Sequence, residues 1–416
     1  MNSIEIEIAN NAKKYKETMK LYQKLYKDID VADFYNIPIL TKNDLIGDQK
    51  DNSPFGSIVE EDMSKVRRVH RTSGTSEQPL MLALTQNDID NIIDTGKKAF
   101  FLCGLTDEDI VINCMNYCMW MGGFMDHQSL EATGATIIPY GVGNTENLIQ
   151  MIRMLPNVCI HATPSYLSKV EQVAKNKFNL EPADLHIKKG FFGGEGGLDN
   201  KNFRQKIENK WKMDIYNANY GMSEVMSIIA SEGKEKNGLH FVAADTVYPE
   251  LYIEEEENVS NENIRIGAIG KLVLSNRCKE SQPLIRYDTG DIIEILDVRN
   301  EKPVQHFKFN VVGRADDMIV VKGINFYPAV IRNVIASYKE LTGNYQVQIL
   351  REGIIDYVRL VIECGDISKD VLKLIGKEIS TVIRKKYFVS VDILFTEEIE
   401  KDDNKLKVIK KVEKFE

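Results

Sequence analysis

Cysteine and tryptophan are scarce in this 416-residue chain, at six and two residues. Cys103, Cys114, Cys118, Cys159, Cys278 and Cys364 show no repeated paired spacing, so neither a disulfide framework nor a zinc module is expected. Scattered thiols fit a reducing, cytoplasmic setting. Long apolar runs are also missing. The least polar stretch, Cys114 to Met125, is short and interrupted by glycine, which argues against a membrane-spanning helix. Met1 to Asn10 is acidic and carries no apolar core segment, so no signal peptide is expected. There is no basic excess: 53 Lys and Arg face 62 Asp and Glu, for a formal net charge of −9, the opposite of a nucleic-acid binder. No G-x-x-x-x-G-K-[ST] loop occurs, and no Ser-His-Asp or Cys-His signature, so P-loop chemistry and a side-chain nucleophile are set aside.

What is present points to an ordinary folded protein. A hydrophobic share of 43% and a charged share of 28% exclude disorder, and the length suits two or three domains. Residues 8 to 46 read as helices leading into an extended Ile37-Pro38-Ile39-Leu40 segment. From about 85 to 265, short apolar runs (Ile110 to Asn113, Ala135 to Pro139, Val158 to Ala162) alternate with helical patterns (Asp88 to Leu102, Leu148 to Leu155, Ser165 to Lys175). That alternation predicts an α/β domain built on a mostly parallel sheet. Beyond residue 265 the pattern becomes β-rich. After Gly313 a helix, the strand pair Tyr345 to Leu350 and Tyr357 to Glu363, a helix from Val371 to Ile383 and a final strand Val389 to Leu394 suggest a small α+β domain. The expected division is 1–314 for the large domain and 315–416 for the small mobile lid.

The densest hydroxyl cluster is Arg71-Thr72-Ser73-Gly74-Thr75-Ser76-Glu77-Gln78-Pro79. Hydroxyls and the N–H groups of a glycine-containing turn can surround phosphate oxygens. On its own such a cluster is usually a polar turn. It is followed in order by Tyr220-Gly221-Met222-Ser223-Glu224, Tyr287-Asp288-Thr289-Gly290-Asp291 and Gly313-Arg314-Ala315-Asp316-Asp317. This series resembles the adenylate-forming superfamily of acyl-CoA synthetases, luciferase and peptide-synthetase adenylation domains. Gly134-Ala-Thr-Ile-Ile-Pro139, Thr163-Pro164-Ser165-Tyr166, Phe192-Gly193-Gly194-Glu195, Tyr248-Pro249-Glu250 and Ile285-Arg286-Tyr287 are similar to its phenylacetate–CoA ligase branch. The resemblance runs from about residue 12 to the C-terminus.

The resemblance implies a role for each motif. Thr72, Ser73, Gly74 and Thr75 would bind the β- and γ-phosphates of ATP, although Glu77 and Gln78 depart from the Gly and Lys found in relatives. Tyr220 and Gly221 would lie at the adenine, with Gly194 and Glu195 beside it. Ser223 would contact the α-phosphate, and Glu224 would help hold Mg²⁺, which prefers carboxylate and phosphate oxygens. Asp291 would take the ribose hydroxyls, and Arg314 would reach the same sugar. Asp316 would be the hinge of the lid, and Gly323 to Pro328 the loop facing the site during thiol transfer. The catalytic lysine is expected at Lys405, where Asn404 replaces the usual Gly, with Lys407 as second candidate. Tyr117, Trp120, Gly122, Phe124 and Met125 align with the acyl pocket and suggest a flat, apolar acid.

The expected activity is therefore ATP-dependent conversion of an aromatic or small apolar carboxylic acid to acyl-AMP, followed by transfer to coenzyme A. A carrier-protein phosphopantetheine or an amine is the alternative acceptor, and a non-catalytic nucleotide-binding protein the second alternative. Relatives suggest a homodimer. No nucleic-acid or membrane partner is expected.

Overall fold

A computed structural model describes residues 1–58, 63–72, 79–199, 201–256, 258–301, 304–315, 319–321, 324–326, 331, 334–335, 337–352, 355–365, 367–387, 389–399 and 409–412. The chain divides into two compact units. One comprises 1–199, 207–289 and 293–310; the other comprises 200–206, 290–292 and 311–416.

The first unit opens with helices α1 (Ser3–Thr18), α2 (Lys20–Leu25) and α3 (Lys42–Asp51). Capping boxes start two of them, Asn2 with Glu5 and Thr41 with Asp44, satisfying N–H groups that the first helical turn leaves open. A hairpin of β1 (Arg68–Arg71) and β2 (Met81–Leu84) follows, then α4 (Gln86–Leu102). The succession continues with β3 (Ile110–Asn113), α5 (Met121–Glu131), β4 (Thr136–Pro139), α6 (Thr145–Met154), β5 (Val158–Ala162), α7 (Tyr166–Phe178), β6 (Lys189–Gly193), α8 (Lys201–Trp211) and β7 (Asp214–Met222). The β-rich stretch supplies β8 (Met226–Glu232), β9 (Leu239–Phe241), β10 (Val247–Ile253), β11 (Asn258–Ser260), β12 (Ile269–Asn276), β13 (Tyr287–Glu301) and β14 (Val304–Arg314).

Twelve of these strands form one sheet in the order β11-β10-β12-β13-β14-β9-β8-β7-β6-β5-β3-β4. Strands β4, β3, β5, β6 and β7 are parallel neighbours. From β7 onward the pairings β7–β8, β8–β9 and β9–β14 are antiparallel. Among the described pairings of this sheet, parallel character is confined to the α/β half, and the β-rich segment continues the same sheet. The reason is visible in the strands: β5 is buried at every position, as expected when helices cover both faces of a parallel sheet. Phe100 of α4, Phe191 of β6 and Tyr216 of β7 pack in its core, with Phe191 and Tyr216 stacked at 5.9 Å.

In the second unit, β15 (Ile319–Val321) and β16 (Ile324–Phe326) pair as a hairpin. A four-stranded sheet runs β19 (Val391–Thr396), β18 (Ile355–Cys364), β17 (Leu341–Glu352), β20 (Ile409–Val412). Helix α9 (Lys369–Tyr387) lays Ile375, Ile379 and Ile383 on this sheet, against Val347, Leu360 and Ile362. The strand expected to be final, at 389–394, is followed by β20, which pairs parallel with β17. Its four residues, Ile-Lys-Lys-Val, sit in a lysine-rich tail whose charge hides the β pattern. Among the described residues, no helix is long and apolar enough to cross a membrane.

Candidate active site

Because β5, β6 and β7 are adjacent and parallel, the segments following them leave one edge of the sheet. This carboxyl edge is where open α/β sheets bind ligands. Thr163-Pro164-Ser165 follows β5, Gly194-Glu195 follows β6, and Tyr220 to Met222 end β7. Gly194 has φ +75°, a turn conformation that favours glycine. Glu195 is engaged locally: its carboxylate accepts the Ser165 hydroxyl at 2.7 Å and the Ser165 N–H at 3.0 Å. Gly221 is sterically required, since a Cβ there would lie 2.2 Å from the Ser227 carbonyl oxygen across the β7–β8 turn. Tyr220 packs edge-on to Phe309 at 5.3 Å.

Glu224 is buried beside that turn, and Lys42 at the start of α3 pairs with its carboxylate at 3.0 Å. The half-buried Lys279 donates its ammonium to the Glu224 carbonyl, which anchors the turn. Burial pushes the Lys279 pKa down to about 8 against the pull of Asp88 and Glu224. The adjoining residues are fixed in turn, because Asp88 accepts the N–H groups of Glu280 at 2.8 Å and Ser281 at 3.1 Å. Among the described residues, no three His, Cys, Asp or Glu side chains converge as a metal cage. A single carboxylate fits Mg²⁺ that arrives with ATP, because that ion keeps phosphate and water oxygens and needs few protein ligands.

Thr72 closes the base of the hydroxyl-rich loop: its hydroxyl oxygen accepts the Leu80 N–H at 2.9 Å, and its own N–H donates to the Leu80 carbonyl at 2.9 Å. Ser73, Gly74 and Thr75 lie outside the described residues, as do Asp316, Lys405 and Lys407. Of the loop expected at Gly323 to Pro328, Ile324–Phe326 form β16 and the remainder lies outside the described residues. In the second unit, Asp291 and Arg314 come together, with the guanidinium donating to the carboxylate at 3.0 Å.

The segment from Tyr117 to His127 spans a loop and the first turns of α5. Asn113 donates to the Tyr117 hydroxyl at 2.8 Å, and that hydroxyl meets His127 Nδ1 at 3.0 Å. His127 also contacts Glu131 at 3.1 Å, so it belongs to a polar chain along α5. Met125 is fully buried, whereas Phe124 is 40% exposed and covered by the Arg68 guanidinium, 4.4 Å from its ring. Arg68 also donates to Gln128 at 2.5 Å, while Arg71 stands 5.4 Å from the Trp120 ring. Two arginines of β1 therefore flank the aromatic positions. Gly122 has only Asp126 and Met115 near its missing Cβ, at 3.7 and 3.8 Å.

Lys42, Lys279 and the two β1 arginines were not singled out from sequence, and each contact depends on residues far apart in the chain. For Lys42 the Thr41-Lys42 helix start was the available signal. Nothing local distinguishes Lys279 from other lysines.

The chain resembles known proteins along most of its length. A family model described as AMP-binding enzyme C-terminal domain matches residues 323–411. The phenylacetate-coenzyme A ligase of Pseudomonas putida is 30% identical over 368 residues, covering 87% of this chain and 80% of that protein. The enzyme of the same name from Escherichia coli (strain K12) is 29% identical over 342 residues, or 82% of this chain and 75% of that protein. Among solved structures, a 2-hydroxyisobutyryl-CoA ligase in its postadenylation state superposes with a TM-score of 0.84 at 22% identity, covering 98% of this chain and 89% of that one. That likeness establishes the fold.

Proposed function

The chain belongs to the phenylacetate–coenzyme A ligase family of adenylate-forming enzymes, and from that premise we propose how its residues divide the work of an AMP-forming acid–thiol ligase. The enzyme activates a carboxylic acid with ATP to acyl-AMP and pyrophosphate, and then forms the coenzyme A thioester. The chemical obstacle is mutual repulsion, since a carboxylate must approach the α-phosphate of a polyanion. Positioning and charge neutralisation are what the protein can contribute, and no side-chain nucleophile is needed.

Tyr220, Gly221, Gly194 and Glu195 hold the adenine, Asp291 and Arg314 the ribose, and Thr72 to Thr75 with Ser223 the phosphates. Glu224 receives Mg²⁺, which supplies positive charge to the triphosphate. Lys405 bridges the acid carboxylate and the α-phosphate during adenylation. Asp316 is the hinge on which the C-terminal lid turns before the thiol of coenzyme A attacks the acyl-AMP carbonyl and AMP departs. Tyr117, Trp120, Gly122, Phe124 and Met125 line the acid, and Trp120 and Phe124 suit an aromatic one.

The observation that supports this division most is the shared carboxyl edge, where Gly194-Glu195 and Tyr220-Gly221 leave the neighbouring parallel strands β6 and β7. The test is carboxylate-dependent ATP–pyrophosphate exchange over a panel of aryl and short alkyl acids, repeated as AMP release with and without coenzyme A. Exchange with at least one acid, and AMP release accelerated by coenzyme A, are the expected results. Exchange with none of the panel would overturn the ligase reading, and AMP release indifferent to coenzyme A would overturn the choice of acceptor.

A further inference from the structure

Beneath the first turn of α5 lies a polar cluster that the roles above do not use. Asp126 is wholly buried, as is His161 on β5, and His161 Nε2 meets Asp126 Oδ2 at 3.1 Å. Asn219 on β7, the residue before Tyr220, donates to the same oxygen at 2.6 Å. The other carboxyl oxygen, Oδ1, is buried and has no hydrogen-bond partner among the described residues.

Proton bookkeeping restricts what Oδ1 can do. His161 Nδ1 lies 2.8 Å from the Phe191 carbonyl, which only accepts, so Nδ1 carries a hydrogen. One further proton must then sit between Nε2 and Oδ2, since two bare acceptors would otherwise face each other. Whether it rests on the ring or on the carboxyl, the pair is neutral overall and Oδ1 remains an acceptor. A clamp holding α5 to the sheet is fully served by Oδ2, and a buried acceptor left without a donor is costly.

The cluster adjoins the acyl segment. A Cβ on Gly122 would stand 3.7 Å from Asp126 Oδ2 and 3.8 Å from the Met115 methyl, and a Cβ on Gly194 would stand 3.9 Å from that same methyl. Met115 thus spans from the Gly122 face of α5 to the Gly194 turn. Its unbranched, half-buried side chain can move aside for a ligand.

We propose that Asp126 is a specificity residue of the acyl site, and that the acid this enzyme activates carries a hydroxyl group whose hydrogen bond Asp126 Oδ1 accepts. The inference deepens the ligase reading and rests on it. A neutral hydroxyl suits the site better than an ammonium group, because the Asp126–His161 pair has no net charge to offset a buried cation. The substrate class is therefore a hydroxyaryl or hydroxyalkyl carboxylic acid.

The test is pyrophosphate exchange by the full-length enzyme with matched acids. These are phenylacetate, its 2-, 3- and 4-hydroxy derivatives and their methyl ethers, together with 2-hydroxyisobutyrate and isobutyrate. One hydroxylated acid should exceed its unsubstituted and methylated partners by at least about tenfold in kcat/KM, because sites built to bond a hydroxyl reject analogues lacking it. In Asp126→Ala that ratio should fall to about one, chiefly through the KM of the hydroxylated acid. The wild-type panel decides by itself should the variant not fold. Exchange without any preference for a hydroxyl, or a ratio that survives Asp126→Ala, overturns the proposal while leaving the ligase reading intact. Exchange with no acid overturns both.

Discussion

Gly122 and Gly123 are neighbours in the first turn of α5, yet alanine at the two positions should have opposite effects on stability. A Cβ on Gly123 would fall 2.0 Å from the Asn116 carbonyl oxygen, 2.5 Å from its carbon and 3.0 Å from the Tyr117 nitrogen. All three are backbone atoms, which cannot rotate away as a side-chain tip can, so either α5 or the 116–117 loop must shift by about 1 Å. Overpacking of this kind costs about 1–3 kcal/mol or more. A Cβ on Gly122 meets nothing closer than 3.7 Å, and a helical glycine replaced by alanine without strain gains about 0.4–1 kcal/mol through the lower entropy of the unfolded chain. The two variants should therefore differ by about 2–4 kcal/mol. Urea unfolding followed by tryptophan fluorescence measures this directly, since Trp120 and Trp211 both belong to the first unit. Gly122→Ala should unfold at or above the wild-type midpoint and Gly123→Ala well below it. Gly122→Ala should also raise the KM for the acid while leaving that for ATP unchanged, because the new methyl points at Asp126 and Met115. A Gly123→Ala protein as stable as wild type, or equal losses in both variants, would refute the reasoning.

Three further outcomes follow from single residues. Lys405→Ala should abolish pyrophosphate exchange while Lys407→Ala retains it; the reverse result would move the catalytic role to Lys407. Asp109 is buried, which by itself raises its pKa, but its bonds to Lys189 and Thr106 outweigh this and hold it at about 2. A depressed carboxyl stabilises the fold above its unfolded pKa, so Asp109→Asn should cost about 2 kcal/mol at pH 6, a difference that shrinks as pH falls from about 4 toward 2 in urea titrations. Lys279, at about 8 instead of 10.5, is depressed as well, so here too stability rises with pH across the window, although it is the charged form that the fold disfavours. The unfolded chain binds the extra proton between those values, so wild type should gain about 3 kcal/mol relative to Lys279→Met as pH rises from 8 to 10.5; a flat difference would show that the ammonium is not desolvated in the fold.

The division of labour between sequence and structure can be followed through particular residues. Ile110 to Asn113 and Val158 to Ala162 were legible as strands because strands covered on both faces are written as unbroken apolar runs. The order of Thr72, Tyr220, Asp291 and Arg314 was legible because each motif is local and its residue types are chemically narrow. Strand β20 was not, since its pairing with β17 joins Val347 to Ile409 and no window of sequence contains both. The extent of the large sheet was hidden for the same reason.

By itself, then, the sequence determined the α/β class, the succession of motifs and the family to which they belong, since all of these are carried by residue type and spacing along the chain. Only tertiary structure decided that Lys42 would meet Glu224, that Lys279 would bond the backbone of the same turn, and that Asp126, His161 and Asn219 would share one proton network. Those contacts bridge separations such as the 93 residues from Asp126 to Asn219. The carboxyl is held there by burial and by partners from two strands, β5 and β7, neither of which leaves a mark in the residues beside it.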